Sequence, residues 1–122
     1  MLRLALPKGS LEEETRRLFR EASLDINGDE DSAWIDDGRI SVTRFLRAQE
    51  IAKLVKEQYF DVGITGCDWI METRSSVIEL SDLNYGRVRL VVFVAERSGI
   101  TDPKQIKPGS SVTSEYENLT AD

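Results

Sequence analysis

Two stretches of this chain repeat one order, strand then glycine-bearing turn then helix start, and that order constrains the fold more than any other feature. Residues 60–69 read Phe-Asp-Val-Gly-Ile-Thr-Gly-Cys-Asp-Trp. Phe60, Val62 and Ile64 alternate with Asp61 and Gly63, the period-2 pattern of a strand. Thr65-Gly66 then turns the chain, and Asp68 stands at a helix start. Residues 2–11 read Leu-Arg-Leu-Ala-Leu-Pro-Lys-Gly-Ser-Leu, a short apolar run interrupted by Arg3 and followed by the turn Pro7-Lys8-Gly9-Ser10. Ser10 with Glu13 makes a capping-box pattern, which predicts that the helix starts at Ser10. Glycine lets a ligand approach the backbone closely, and a helix N-terminus favours anions. Each turn is equally ordinary strand-to-helix punctuation when taken alone. The Gly-x-x-x-x-Gly-Lys-Ser/Thr spacing of a P-loop is absent.

The rest of the chain continues the alternation. A strand over 2–6 leads to a helix over about 10–22, with Leu11, Leu18, Phe19 and Ala22 inward and Glu12–Arg16 and Glu13–Arg17 as supporting pairs. Residues 25–38 are acidic and predict a short strand with a turn at Asp36-Asp37-Gly38. Ile40, Val42 and Phe45 predict a strand, and 47–58 a helix with Ala48, Ile51, Ala52 and Val55 inward. A strand over 60–65 and a short helix over 67–73 follow. Val77–Leu80 reads as a strand, and Arg87–Ala95, wholly apolar from Leu90 to Val94, as a central one. Thr101–Ile106 reads as a short helix and Ser111–Thr113 as a strand. Strands alternating with helices predict a mostly parallel α/β sheet.

Charge and composition exclude several functions. The 122 residues carry a net charge of −6, against the basic face that nucleic-acid binding needs. Seven acids and no base lie between Glu21 and Asp37, whereas Arg44, Arg47, Lys53 and Lys56 cluster, and Arg87 and Arg89 follow. Those basic positions suit phosphate, since guanidinium forks match its oxygens; the bland alternative for each is a surface ion pair. No apolar run approaches the roughly 20 residues of a membrane helix, and the N-terminus lacks a signal-peptide pattern. The one cysteine, Cys67, excludes an internal disulfide and fits a reducing cytoplasm. With no histidine, a thiol–imidazole nucleophile cannot form, and clustered metal ligands are absent from the pattern.

Five ordered segments carry a resemblance. They are Leu-Ala-Leu-Pro-Lys-Gly-Ser-Leu at 4–11, Phe-Leu-Arg-Ala-Gln-Glu-Ile at 45–51, Asp-Val-Gly-Ile-Thr-Gly-Cys-Asp-Trp at 61–69, Asp-Leu-Asn-Tyr-Gly-Arg-Val-Arg-Leu-Val-Val at 82–92, and Thr-Ser-Glu-Tyr-Glu-Asn-Leu-Thr at 113–120. Together they resemble the N-terminal part of the ATP phosphoribosyltransferase family, over nearly the whole chain. The chain departs from the family pattern at Ser10, where Arg is usual. It departs again at Glu50 and Ala52, where Asp and Pro are usual, and at Glu117, where Pro is usual. The family's phosphoribosyl-pyrophosphate loop and its returning segment have no counterpart here.

The resemblance implies a type II periplasmic-binding-protein-like fold of two lobes. Residues 1–87 would be lobe one, mostly present, and 88–122 a crossover strand and the beginning of a truncated lobe two, with the 100–122 tail poorly ordered unless covered. It implies the condensation of ATP with phosphoribosyl pyrophosphate, the first step of histidine biosynthesis, in the cytoplasm. Magnesium would be carried on the substrate's phosphates, with no protein ligand assigned. A homo-oligomer, with or without a regulatory subunit, is the implied assembly. Lys8 and Gly9 would line the nucleotide cleft near phosphates, Arg47 the base of the cleft or a phosphate, and Thr65, Gly66 and Asp68 the ligand side of a strand end. Gly86 and Arg87 would sit at the crossover, and Glu115 and Tyr116 would face the cleft from lobe two. No general base is identified, and the chain alone is expected to turn over poorly or not at all. A non-catalytic binding domain of the same fold, or a structural fragment, is the alternative.

Overall fold

A computed structural model describes residues 1–121. The chain divides into two compact units, Met1–Arg87 and Val88–Asp122.

The first unit is built on β1 (Leu2–Lys8), in which Leu4, Ala5, Leu6 and Pro7 are all buried. A central strand is covered on both faces, so it reads as a continuous apolar run. β1 extends two residues beyond the expected strand, so Pro7 and Lys8 belong to its end. A single 3-10 turn, Gly9–Leu11, leads into α1 (Glu12–Glu21). The capping box expected at Ser10 does not form. Neither Lys8 before the turn nor Leu11 before the helix caps with a side chain, because the 3-10 turn occupies the helix entrance. Glu12, Glu13 and Glu14 in the first turn suit the helix dipole. Glu12 pairs with Arg16 at 3.0 Å as expected.

The most buried residue of α1 is Thr15; Ala22, expected inward, is exposed. The helix has already ended there: Ser23 takes φ 60°, and the N–H groups of Ser23 and Leu24 close on Arg20 and Phe19 at 3.0 and 2.8 Å. That is the left-handed closure usually given to glycine.

The acidic stretch forms a hairpin of β2 (Ile26–Asn27) and β3 (Trp34–Ile35), not one strand. Its turn lies earlier than Asp36-Asp37-Gly38. The Asp29 carboxylate accepts from the Asp31 and Ser32 amides, both at 3.0 Å, and from the Ser32 hydroxyl at 2.9 Å, which pulls its pKa down. A second turn follows, where Asp37 holds Arg39.

β4 (Ile40–Arg47) runs parallel to β1 and brings Arg47 into register with Lys8. α2 (Ala48–Lys56) crosses to β5 (Val62–Gly63), which pairs parallel with the other side of β1. The sheet order is β4-β1-β5. One face of the sheet packs Leu4, Leu6 and Phe45 against the hairpin's Ala33 and Ile35 and the α1 residue Phe19. On the other face, α2 lies so close to β5 that a Cβ on Gly63 would meet Ile51 Cγ2 at 2.5 Å. α3 (Cys67–Thr73) follows as expected.

Beyond α3 the expectations diverge. β5 is two residues rather than 60–65, because it is bonded on one edge alone, at Leu4 and Ala5. Val77–Leu80 forms no strand, and Ile78 and Leu80 are exposed. Arg87–Ala95, which begins at the last residue of the first unit, is not a central strand: among the described residues no neighbouring strand accepts its backbone groups, and Val92 and Phe93 are exposed. An apolar run announces a need for burial, and a ladder additionally requires a partner. Ser111–Thr113 likewise stays unpaired. The helix expected over 101–106 is one 3-10 turn, Pro103–Gln105, closed by a capping box from Asp102 and Gln105. α4 (Glu117–Ala121) ends the described chain.

Candidate functional site

Topology singles out one edge of the sheet. From β1 the chain moves to β4 on one side; from β4 it crosses back over β1 to β5 on the other. The connections therefore diverge between β1 and β5, and in parallel α/β sheets ligands bind beyond the carboxyl ends of the strands at that switch. Lys8 ends β1, while Thr65 and Gly66 follow β5. Arg47 ends β4, in register with Lys8. Four of the ten residues singled out from the sequence thus share one edge of a three-stranded sheet, and Gly9 continues directly from Lys8.

Each is held by a specific local device. Gly9 has φ +83° with open space where a side chain would go, so glycine is there for its backbone conformation. The Thr65 hydroxyl donates to the Ala48 carbonyl at 2.6 Å, which ties the turn after β5 to the start of α2. Gly66 caps α3, and the Asp68 carboxylate folds back against it, where a Cβ on Gly66 would overlap it. With seven residues, α3 offers little dipole, and Asp68 places an acid in its first turn. Arg47 reaches the Glu50 carboxylate at 2.8 Å, and this bond raises its pKa.

Electrostatics near Lys8 are mixed. Glu30 has its pKa raised, first by a hydrogen bond with Glu12, then by burial and the Glu12 charge, while Lys8 opposes the shift.

Gly86 has φ +67°, and the Leu11 side chain occupies the space a Cβ would take. Gly86 therefore lies against the end of the Gly9–Leu11 turn. Arg87 is the last residue of the first unit. Glu115 and Tyr116 lie in the second unit just before α4, where the Tyr116 amide donates to the Ser114 hydroxyl at 2.9 Å.

Three features went unread in the sequence. Arg3, taken as an interruption of the apolar run, forks onto Asp61 at 3.0 and 3.1 Å and stitches β1 to β5. Their alternation with apolar neighbours was the available signal. Arg16 stacks 4.6 Å over the Phe45 ring and donates to the Gly28 carbonyl at 3.2 Å. Thr15, inside α1, meets the Tyr85 hydroxyl at 2.7 Å.

Among the described residues no three His, Cys, Asp or Glu side chains are grouped to hold a metal ion. Nor is any helix among them long and apolar enough to cross a membrane. The parallel register brings Lys8 and Arg47 to the same end of the sheet, with Thr65 and Gly66 following β5.

Known proteins with these features fall together. Residues 47–122 match the family model described as HisG, ATP phosphoribosyltransferase. ATP phosphoribosyltransferases of Desulforudis audaxviator and Prosthecochloris aestuarii are 39% and 40% identical over 98% of this chain. The chain spans 43% and 42% of their lengths. A solved ATP phosphoribosyl transferase (HisG:HisZ) complex from Thermotoga maritima aligns with a TM-score of 0.57 at 24% identity, over 70% of this chain and 41% of that one. That likeness is one of fold, the periplasmic-binding-protein-like α/β architecture expected from the sequence. Matched over more than half its residues by the family model, the chain belongs to the ATP phosphoribosyltransferase family.

Proposed function

We propose that this chain supplies the nucleotide-receiving part of an ATP phosphoribosyltransferase. The observation that carries the reading is the meeting of Lys8-Gly9 and Thr65-Gly66 at the β1/β5 switch, with Arg47 in register alongside. Residues 1–87 are the first lobe in this reading, and 88–122 the crossover and the beginning of the second.

The reaction is a displacement at a sugar carbon. N1 of the ATP adenine bonds to C1 of phosphoribosyl pyrophosphate as the C1–oxygen bond breaks and pyrophosphate departs. Such chemistry asks the protein chiefly for positioning and charge neutralisation. Lys8 and the Gly9 backbone hold phosphate oxygens, and Arg47 supplies a second cation by exchanging Glu50 for a phosphate. Thr65, Gly66 and Asp68 shape the side of the site, and Gly86 and Arg87 lie where the chain leaves the first lobe; Glu115 and Tyr116 keep the substrate-binding role that the family resemblance implies for the second lobe. Magnesium neutralises phosphate charge when bound.

The isolated chain turns over poorly or not at all, since it spans 43% and 42% of the lengths of the relatives it matches. The protein works in the cytoplasm and assembles with copies of itself. The Thermotoga complex supports a regulatory partner as well.

Titration calorimetry with ATP tests the reading. Binding is expected for the chain, and Lys8→Ala should weaken it about ten- to a hundredfold, the loss of one charge-assisted hydrogen bond. Undiminished affinity in Lys8→Ala, or no ATP binding by the parent chain, refutes it.

A further inference from the structure

Leu11 closes the Gly9–Leu11 turn, and the segment Asn84–Gly86 grips it from two sides. Gly86 lies under its side chain, with φ +67° and no room for a Cβ. On the other side, the Thr15 hydroxyl donates to the Leu11 carbonyl at 2.7 Å and meets the Tyr85 hydroxyl at 2.7 Å. A threonine hydroxyl has one proton. Since Thr15 spends it on Leu11, the Tyr85 O–H must donate to Thr15, which orders the chain Tyr85 to Thr15 to Leu11.

Thr15 is fully buried and Tyr85 is half-buried, so losing one partner leaves a polar atom unsatisfied. A helical threonine commonly bonds back to the carbonyl four residues earlier. What that habit does not explain is a tyrosine 70 residues away completing the chain. Tyr85 is itself presented by a tight turn: the Asn84 amide donates to the Asp82 carboxylate at 2.8 Å, and Asn84 takes φ 59°.

We propose that Tyr85 is a positioning residue: through Thr15 and Gly86 it clamps Leu11 and so holds the Lys8–Leu11 turn in the shape that receives a nucleotide phosphate. The phosphate part of this inference rests on the function proposed above. The clamp itself rests on geometry alone.

Two readouts on the 122-residue chain separate them. Amide hydrogen exchange across Gly9–Leu11 without ligand tests the clamp: Tyr85→Phe and Thr15→Val should speed exchange there, while Thr15→Ser, which keeps the hydroxyl, should restore protection. ATP affinity tests the consequence: Tyr85→Phe should bind about three- to tenfold more weakly, the worth of one hydrogen bond, with Thr15→Ser near the parent. Unchanged exchange in Tyr85→Phe overturns the clamp. Faster exchange with unchanged ATP affinity overturns the positioning role. If the parent binds no ATP, the functional reading fails and the phosphate role with it, while the exchange comparison still decides the clamp. Should Thr15→Val fail to fold, Tyr85→Phe, which deletes one oxygen and keeps the ring, carries both readouts.

Discussion

Gly63→Ala is the sharpest test of how α2 is seated on the sheet. The added methyl would stand 2.5 Å from Ile51 Cγ2 and 3.0 Å from Val55 Cγ2. Carbons pack comfortably at about 3.5–4.0 Å, so something must give by roughly 1 Å. Ile51 is fully buried and has nowhere to turn, so the helix itself must lift. Overpacking of this kind costs about 1–3 kcal/mol. The strain should register in urea denaturation as a lower midpoint at an unchanged slope. A double-mutant cycle isolates the contact. Ile51→Ala alone removes Cγ2 and leaves a cavity, for about 2–5 kcal/mol. In Gly63→Ala/Ile51→Ala the new methyl enters that cavity, so the double variant should be more stable than the sum of the singles predicts, by at least about 1 kcal/mol. An unshifted midpoint in Gly63→Ala, or strict additivity, would refute the close approach. The same lift would draw Ala48 from Thr65, whose hydroxyl bond spans this seam at 2.6 Å, so Gly63→Ala should also weaken ATP binding.

Four further outcomes are expected. The Thr43 hydroxyl is buried with no hydrogen-bond partner, so Thr43→Val should raise stability by about 1 kcal/mol; a lower melting temperature would show that the hydroxyl is satisfied. Arg3 holds the Asp61 carboxylate at a pKa of about 2, through its side chain first and its backbone amide second. Because that pKa is depressed, the stabilisation is full above about pH 4 and is lost as pH falls toward 2. Acid titration of Asp61→Asn should be flatter in that window, and identical curves would contradict the pairing. Glu30→Gln removes a charge that Lys8 feels and should tighten ATP binding with a steeper salt dependence; weaker binding would contradict a repulsive role for Glu30. Phe93→Lys interrupts an exposed apolar run and should reduce self-association in sedimentation, with no change meaning that the run is not adhesive.

The parallel sheet was legible because β1 and β4 are long enough for pattern to speak. Leu4, Ala5 and Leu6 announce a strand covered on both sides, and Phe45 marks the strand that pairs with it. Helix positions followed from the same periodicity, but helix ends did not. Ser10 has the residue type of a cap and forms none, because the 3-10 turn decides the geometry there. Ser23 and Gln58 close α1 and α2 in the left-handed region without glycine, so no sequence signal marked those ends. Lys8 and Thr65 were findable because they terminate apolar runs. Tyr85 was not, because its partner lies 70 residues back inside a helix, and no local pattern encodes a contact at that separation.

The failure at Arg87–Ala95 has the same root as the success at β1. Both runs are apolar, and both demand cover. β1 is served by β4 and β5, one on each edge, over Leu2–Lys8 on the β4 side and at Leu4 and Ala5 on the β5 side. Among the described residues nothing serves Leu90–Val94 in this way. Hydrophobic pattern records what a segment must bury, and it is silent on which backbone will lie beside it. In this chain the distinction falls along function. The unit whose strands find one another assembles Lys8, Arg47 and Thr65 at one edge, because parallel register aligns strand ends whatever the side chains are. On the proposed reading, a cation placed by register needs a fixed turn beside it to serve a phosphate, and the contacts of Leu11 with Thr15, and of Thr15 with Tyr85, are what would fix that turn.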